Sequence, residues 1–284
     1  MTPGAANKSD IRTRQKEREE TLVLQNAQDF LQLEERQNQY ESERSILRWG
    51  GLGGMMDGVV FIFVPVILFG FAPQVPSGSF MTEGGGRVDP TALVMTFPDS
   101  RMPIIVGNFL NFLSVVLSLA LILALYRALR GTSPAPALWG SALYIIGLGV
   151  IFTETVTQVA FDPISSLYHA PGVTPAEQTT LVIMWQAIQS VFFELDAAAI
   201  LVLSMGLVVL GVAMIGAPRF GKTIGSPIIV LGGVGLLVTS VFGITSFLVA
   251  IILVPAFIIV PILLGWKVHG MSRSHSSSVA TRGN

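Results

Sequence analysis

Cysteine is absent from the 284 residues, which excludes disulfides, thiolate metal centres and cysteine nucleophiles. Histidine is scarce and scattered: His169, His269 and His275 fall in predicted loops or the tail, so no histidine-rich metal site is expected. Charge is equally thin. Only 12% of the residues are charged, against about 25% in a soluble domain, which points to lipid as the solvent. The net charge of −1 and the lack of a basic stripe argue against a nucleic-acid partner. No phosphate loop, dinucleotide fingerprint, zincin motif or GxSxG elbow is present, so neither a cofactor nor an enzymatic activity is expected. The glycine run at residues 84–86 has no strand before it or helix after it and reads as a flexible outer loop. A secretory leader is also missing. The first apolar run begins near Met55, well past the ~15–30 residues of a signal peptide, so the first span is expected to stay in the mature chain.

What is abundant is apolar sequence. Hydrophobic residues make up 51% of the chain and the mean hydropathy is +0.65. A helix crossing the ~30 Å of hydrocarbon needs roughly 20 such residues. Apolar blocks at residues 56–75, 103–126, 137–160 and 196–216 each meet that length, the fourth with a more polar approach from about Thr179. The last block, residues 227–266, is twice too long for one crossing and must fold back. A turn at residues 242–246 gives spans 227–243 and 247–266. The predicted fold class is therefore all-α: a polytopic membrane helix bundle of six spans over residues 50–268, preceded by a cytosolic helix and followed by a disordered cytosolic tail at residues 269–284.

Orientation follows from lysine and arginine in the short loops. Arg127 and Arg130 follow the second span, Arg219 and Lys222 the fourth, and Lys267, Arg273 and Arg282 the last, none with an acid beside it. The alternate loops hold Arg87 and Arg101 against Glu83, Asp89 and Asp99, and Asp162 and Glu177 with no base. Both termini are expected in the cytoplasm of a bacterial cell, with the bundle in the inner membrane.

Residues 1–50 carry 17 charged side chains, 8 basic and 9 acidic, and the boundary falls at the glycine run 50–54. Between Lys8 and Arg48 there is neither proline nor glycine, and Gln, Glu, Arg, Leu and Ala favour helix. Leu24, Ala27 and Leu31 fit a heptad seam that then meets Glu34, Glu35 and Asn38. The segment reads as a solvated helix or a short coiled coil, with residues 8–48 able to engage a protein partner. Arg44, Arg48 and Trp49 resemble an interfacial anchor.

A charged group in hydrocarbon costs roughly 2.5–3.5 kcal/mol on insertion scales, so each one calls for a reason. Asp57 is expected at the cytoplasmic start of the first span, reaching interfacial water. Glu154 lies inside the third span, with Gln158 on its face at i+4. In the fourth block Gln186, Gln189, Phe193 and Asp196 share one face, and Ser190 and Glu194 a neighbouring one. Asn108 and Asn111 stand at i+3 in the second span. All fall in the outer half of the membrane or just beyond it. The inner halves read as nearly pure Leu, Val, Ile and Ala, with no buried ionisable group to continue a transport path. Glu154, Gln158, Asn108, Asn111, Gln186, Gln189, Glu194 and Asp196 form a candidate polar site that either holds the helices together through interhelical hydrogen bonds or takes a small solute or ion from outside.

Glycines suggest close packing. Gly50, Gly54 and Gly58 repeat every four residues, most of them ahead of the predicted membrane. Gly232, Gly233 and Gly235 permit close contact in the fifth span. Pro65, Pro255 and Pro261 are expected to kink their helices. A shift of 85 residues lays Gly140–Ser141 over Gly225–Ser226 and Gly147 over Gly232, hinting at a duplicated two-helix unit.

Two stretches stand out, residues 119–129 (Leu-Ala-Leu-Ile-Leu-Ala-Leu-Tyr-Arg-Ala-Leu) and 218–225 (Pro-Arg-Phe-Gly-Lys-Thr-Ile-Gly) with the glycine-rich span after them. They resemble a bacterial family of multi-helix membrane proteins known only as a domain of unknown function, over about residues 50–268. The resemblance implies a compact helical bundle and assigns no functional residue. The sequence thus leads to a non-enzymatic membrane anchor, scaffold or regulatory subunit, whose partners are the bilayer and a protein bound through residues 8–48. The alternative is a small-solute or ion transporter or sensor.

Overall fold

The computed structural model describes residues 8–70, 89–243 and 247–280. Seven helices occur in chain order: α1 (Lys8–Gly70), α2 (Pro90–Leu129), α3 (Pro134–Gln158), α4 (Phe161–Tyr168), α5 (Pro175–Ile215), α6 (Gly221–Phe242) and α7 (Phe247–Ala280). No strand is found among the described residues. Six stretches are long and apolar enough to cross a membrane: Gln37–Val64, Pro90–Leu129, Pro134–Tyr168, Pro175–Ile215, Gly221–Phe242 and Ile251–Arg273. The all-α polytopic bundle of six spans is thereby realised.

The chain divides into two compact units, Met1–Ser45 and Ile46–Asn284. In the first, Leu31 and Tyr40 are 59% and 64% exposed, as on a solvated helix. The side chains of Leu24 and Ala27, the other seam positions, lie outside the described residues.

The second unit is built inside out relative to a soluble domain. Its exposed side chains include Phe63, Phe109, Phe112, Ile146, Val230 and Ile259, while Ser114, Ser118, Ser141, Ser204 and Thr239 are buried. With lipid outside there is no hydrophobic gain in hiding large apolar groups, so small residues that let backbones approach take the interior. A Cβ added to Gly206 would lie 2.9 Å from the backbone nitrogen of Tyr144, and one on Gly140 would lie 2.8 Å from that of Leu210. These contacts knit α3 to α5. On the other flank of α5, Gly225 meets Gly211 and Ile215, and Gly232 meets Ser204 and Val208. The residues matched by the 85-residue shift therefore do one job twice, bringing α3 and α6 against opposite sides of a shared helix.

A second glycine set joins α1, α2 and α7. Gly50 packs on Ala120 and Ala124, Gly51 on Gly265 and His269, and Gly58 on Ile258 and Ile262. The glycine run expected ahead of the membrane is a helix-packing face of α1, within the candidate span Gln37–Val64, which begins earlier than the predicted residue 56. Residues 71–75 of the predicted span lie outside the described residues.

Other boundaries move outward. The helices that carry spans two and four begin at Pro90 and Pro175, ahead of residues 103 and 196, and the predicted 161–178 loop contains α4. At 40 and 41 residues, α2 and α5 are each about 60 Å long, twice the hydrocarbon thickness. Local chemistry starts them. Asp89 Oδ1 accepts from the Thr91 amide at 2.9 Å, and Thr174 and Glu177 form a capping box ahead of Pro175. Their N-terminal ends are tied by an aromatic cluster in which Trp185 lies 5.2 Å from Phe97 and 4.3 Å from Phe161 between ring centres.

The turn expected at residues 242–246 is bracketed by the end of α6 at Phe242 and the start of α7 at Phe247, and Gly243 takes φ +73°. Residues 244–246 lie outside the described residues. The tail expected as disordered from 269 instead continues α7 to Ala280, because Leu264, Val268 and Met271 share one buried face at helical spacing. Residues 281–284 lie outside the described residues.

Candidate functional site

Two groups of buried polar residues occupy the bundle, one predicted and one not. The predicted group is set by α3 and α5. Glu154 is 6% exposed on α3 and interacts electrostatically with Asp196 of α5. Asn111 of α2 donates from Nδ2 to Thr155 Oγ1 at 2.9 Å, beside Glu154 in sequence. Gln158, Asn108, Gln186 and Gln189 are half-buried. No side-chain hydrogen bond joins them to the carboxyl pair among the described residues.

Glu194 is exposed. Two residues from Asp196 on a helix is about 200° of rotation, so only one of these acids can face α3, and it is Asp196. Nearer the α4 end, Arg101 and Asp162 form a two-pronged ion pair, Nε to Oδ1 at 2.8 Å and Nη2 to Oδ2 at 2.9 Å, on partly exposed side chains.

The unpredicted group centres on Asp57. It is 2% exposed, not at an interface, and both of its carboxylate oxygens are occupied: Ser114 Oγ donates to Oδ1 and Ser118 Oγ to Oδ2. Tyr144 of α3, 6% exposed, lines the same site as Ser118. Ser118 is nine residues from Arg127, about 14 Å along the axis and close to half of a ~30 Å hydrocarbon layer.

This corrects two expectations at once, that Asp57 reaches water and that no buried ionisable group lies deeper than the Glu154 level. The missed signal was a spacing. Ser100, Gly107 and Ser114 repeat every seven residues, with Asn111 and Ser118 following at +4, so α2 turns a small and polar stripe inward.

A cavity of about 20 Å³ opens beside Asp57, lined also by Asn111, Ser114, Ser118, Tyr144 and Phe257. That is room for one water, which needs about 10–15 Å³. Asn111 borders the cavity and also bonds Thr155, the sequence neighbour of Glu154, so a polar line runs from Asp57 through Asn111 to Thr155. Towards the basic loops the line stops at Leu121, Leu125 and Leu210, each no more than 3% exposed.

Fold and site together define a class: a multi-pass, all-α membrane bundle with carboxyl groups buried inside. Comparison of the chain with protein-family models, with curated proteins and with solved structures found no match.

Proposed function

We propose that the bundle handles a small cation or polar solute that reaches Glu154 and Asp196 from the end of the molecule bearing α4, as a transporter or sensor without enzymatic chemistry. The observation that carries this reading is the retention of three carboxyl side chains within membrane-length helices, Glu154 interacting with Asp196 and Asp57 on a cavity that Asn111 also borders. The two fully buried ones, Asp57 and Glu154, each cost roughly 2.5–3.5 kcal/mol on insertion scales, and a structural hydrogen bond between membrane helices returns only about 0.6 kcal/mol. Packing alone does not account for them. In liposomes containing the purified protein and a trapped pH dye, Glu154→Gln is expected to abolish cation-driven flux or ligand response at unchanged expression. Undiminished activity in that variant would sink the reading.

A second reading, that the chain is a membrane anchor, scaffold or regulatory subunit, is favoured by the separate charged unit Met1–Ser45. It expects a stoichiometric partner to co-purify from native membranes with the full chain and not with a form lacking residues 1–48. Purification alone in both forms would remove it.

The bacterial inner membrane, with both termini cytoplasmic, is proposed as the location. Supporting it, the basic segments gather at one end: Gly216 approaches Ser133, and Gly51 approaches His269. Kinship with the uncharacterised family stays a proposal, supported by the placement of residues 119–129 at the close of α2 and of 218–225 at the turn into α6.

A further inference from the structure

We infer that the cavity beside Asp57 is a binding site for one dehydrated sodium ion, held by the Asp57 carboxylate with the oxygens of Ser114, Ser118, Tyr144 and Asn111. This rests on the cation-handling reading above and names its ion. The argument begins with charge. Asp57 is 2% exposed, and no lysine, arginine or histidine is among the residues lining the cavity. An ionised carboxylate in apolar surroundings with hydroxyl donors alone is far from compensated, so the site calls for a counter-charge of one, as a proton or as a bound monovalent cation. A divalent ion would leave a buried positive charge in place of a negative one.

The donor set fits a hard cation, because every polar atom at the cavity wall is an oxygen except the Asn111 amide nitrogen, which is turned to Thr155. That bond leaves the Asn111 carbonyl oxygen unused by Thr155. The serine hydroxyls spend their protons on Asp57 and keep their lone pairs for a ligand. Pro261, also on the wall, removes the helical N–H that would otherwise bond the carbonyl of Phe257, a further oxygen at the same level. The space suits one bare small ion: about 20 Å³ admits a water-sized particle and no hydration shell.

The test uses the full chain in detergent, with thermal unfolding followed by tryptophan fluorescence and equilibrium binding of radioactive sodium. At constant ionic strength, replacing potassium chloride with sodium chloride is expected to raise the Tm by several degrees, by mass action on the folded state. One sodium should bind per chain. Asp57→Asn should abolish both effects, and Ser118→Ala should weaken sodium binding about tenfold, the loss expected for one hydrogen-bonding or ligating oxygen. Asp57→Asn replaces a buried group, so Ser118→Ala, with a monodisperse elution profile as its folding control, keeps the test decisive.

Equal responses to sodium and potassium, or no bound sodium in the wild type, would overturn the sodium assignment. If proton flux in liposomes then persisted and depended on Asp57 and Glu154, the cation-handling reading would stand with the proton as its ion. Loss of both flux and sodium binding would remove both.

Discussion

Asp57 decides most at the scale of single residues. A carboxylate held for structure and one held for function respond oppositely to an apolar replacement of similar volume. Breaking a buried ion pair or network costs about 3–5 kcal/mol, whereas exchanging a buried polar group for a well-packed apolar one is often neutral or stabilising. Ser114 and Ser118 can each turn back to the carbonyl four residues earlier in α2, so Asp57→Leu leaves no orphaned hydroxyl. Unfolding measurements on Asp57→Leu should therefore show stability within about 1 kcal/mol of wild type, or above it, while sodium binding and flux vanish. A loss above about 3 kcal/mol would mark the residue as architectural. The sequence made Glu154 legible because an acid in mid-span stands out. Asp57 escaped because its depth depended on where the first span begins, and the glycines ahead of it looked like a boundary. Ser114 and Ser118 escaped because a serine in a membrane helix carries no meaning until its partner is known.

Helices are placed here by missing side chains. At Gly206 an added Cβ would meet the backbone of Tyr144 at 2.9 Å, whereas at Gly149, one turn or so along the facing helix α3, it would meet nothing within 4 Å. Overpacking against a rigid backbone typically costs 1–3 kcal/mol, while glycine to alanine at an open helix position gains up to about 1 kcal/mol. Gly206→Ala is thus expected to lower stability and Gly149→Ala to raise it slightly, both read from the same unfolding assay. Equal effects would refute the packing assignment. The helices themselves were legible from apolar run length. Their outward extensions were not, since Pro90–Met102 and Pro175–Gln189 mix polar and apolar residues in a way that hydropathy counts as loop. Their caps, Asp89 and Thr174, and the Trp185 cluster keep them helical beyond the bilayer.

For the molecule as a whole, side of membrane is the property that governs any function. Gly131 and Gly172 lie in exposed turns at opposite ends of the bundle, with nothing within 4 Å of an added Cβ. The chain has no cysteine, so one introduced at either position is a label without background. In intact cells an impermeant thiol reagent should modify Gly172→Cys and spare Gly131→Cys. The reverse pattern would invert the proposed topology. Six spans and the charge bias of the loops were readable from composition because the bilayer imposes a single length and a single charge rule. Which polar residues meet was not, since it depends on the rotation of each helix about its axis, and glycine contacts set those rotations.

Those contacts sort the spans into two sets. Glycines bring α3 and α6 onto α5 and bring α1 onto α2 and α7, while α2 also packs on α3 and Gly235 of α6 meets Leu253 of α7. The lining of the Asp57 cavity draws on both sets, with Asp57, Ser114, Ser118 and Pro261 from one and Tyr144, Leu148 and Leu203 from the other. The proposed ion site therefore lies where the two glycine-packed sets meet. If an ion is to leave Asp57 towards the basic end, Leu121 and Leu125 of one set must part from Leu210 of the other, so exit in that direction requires the helices to move.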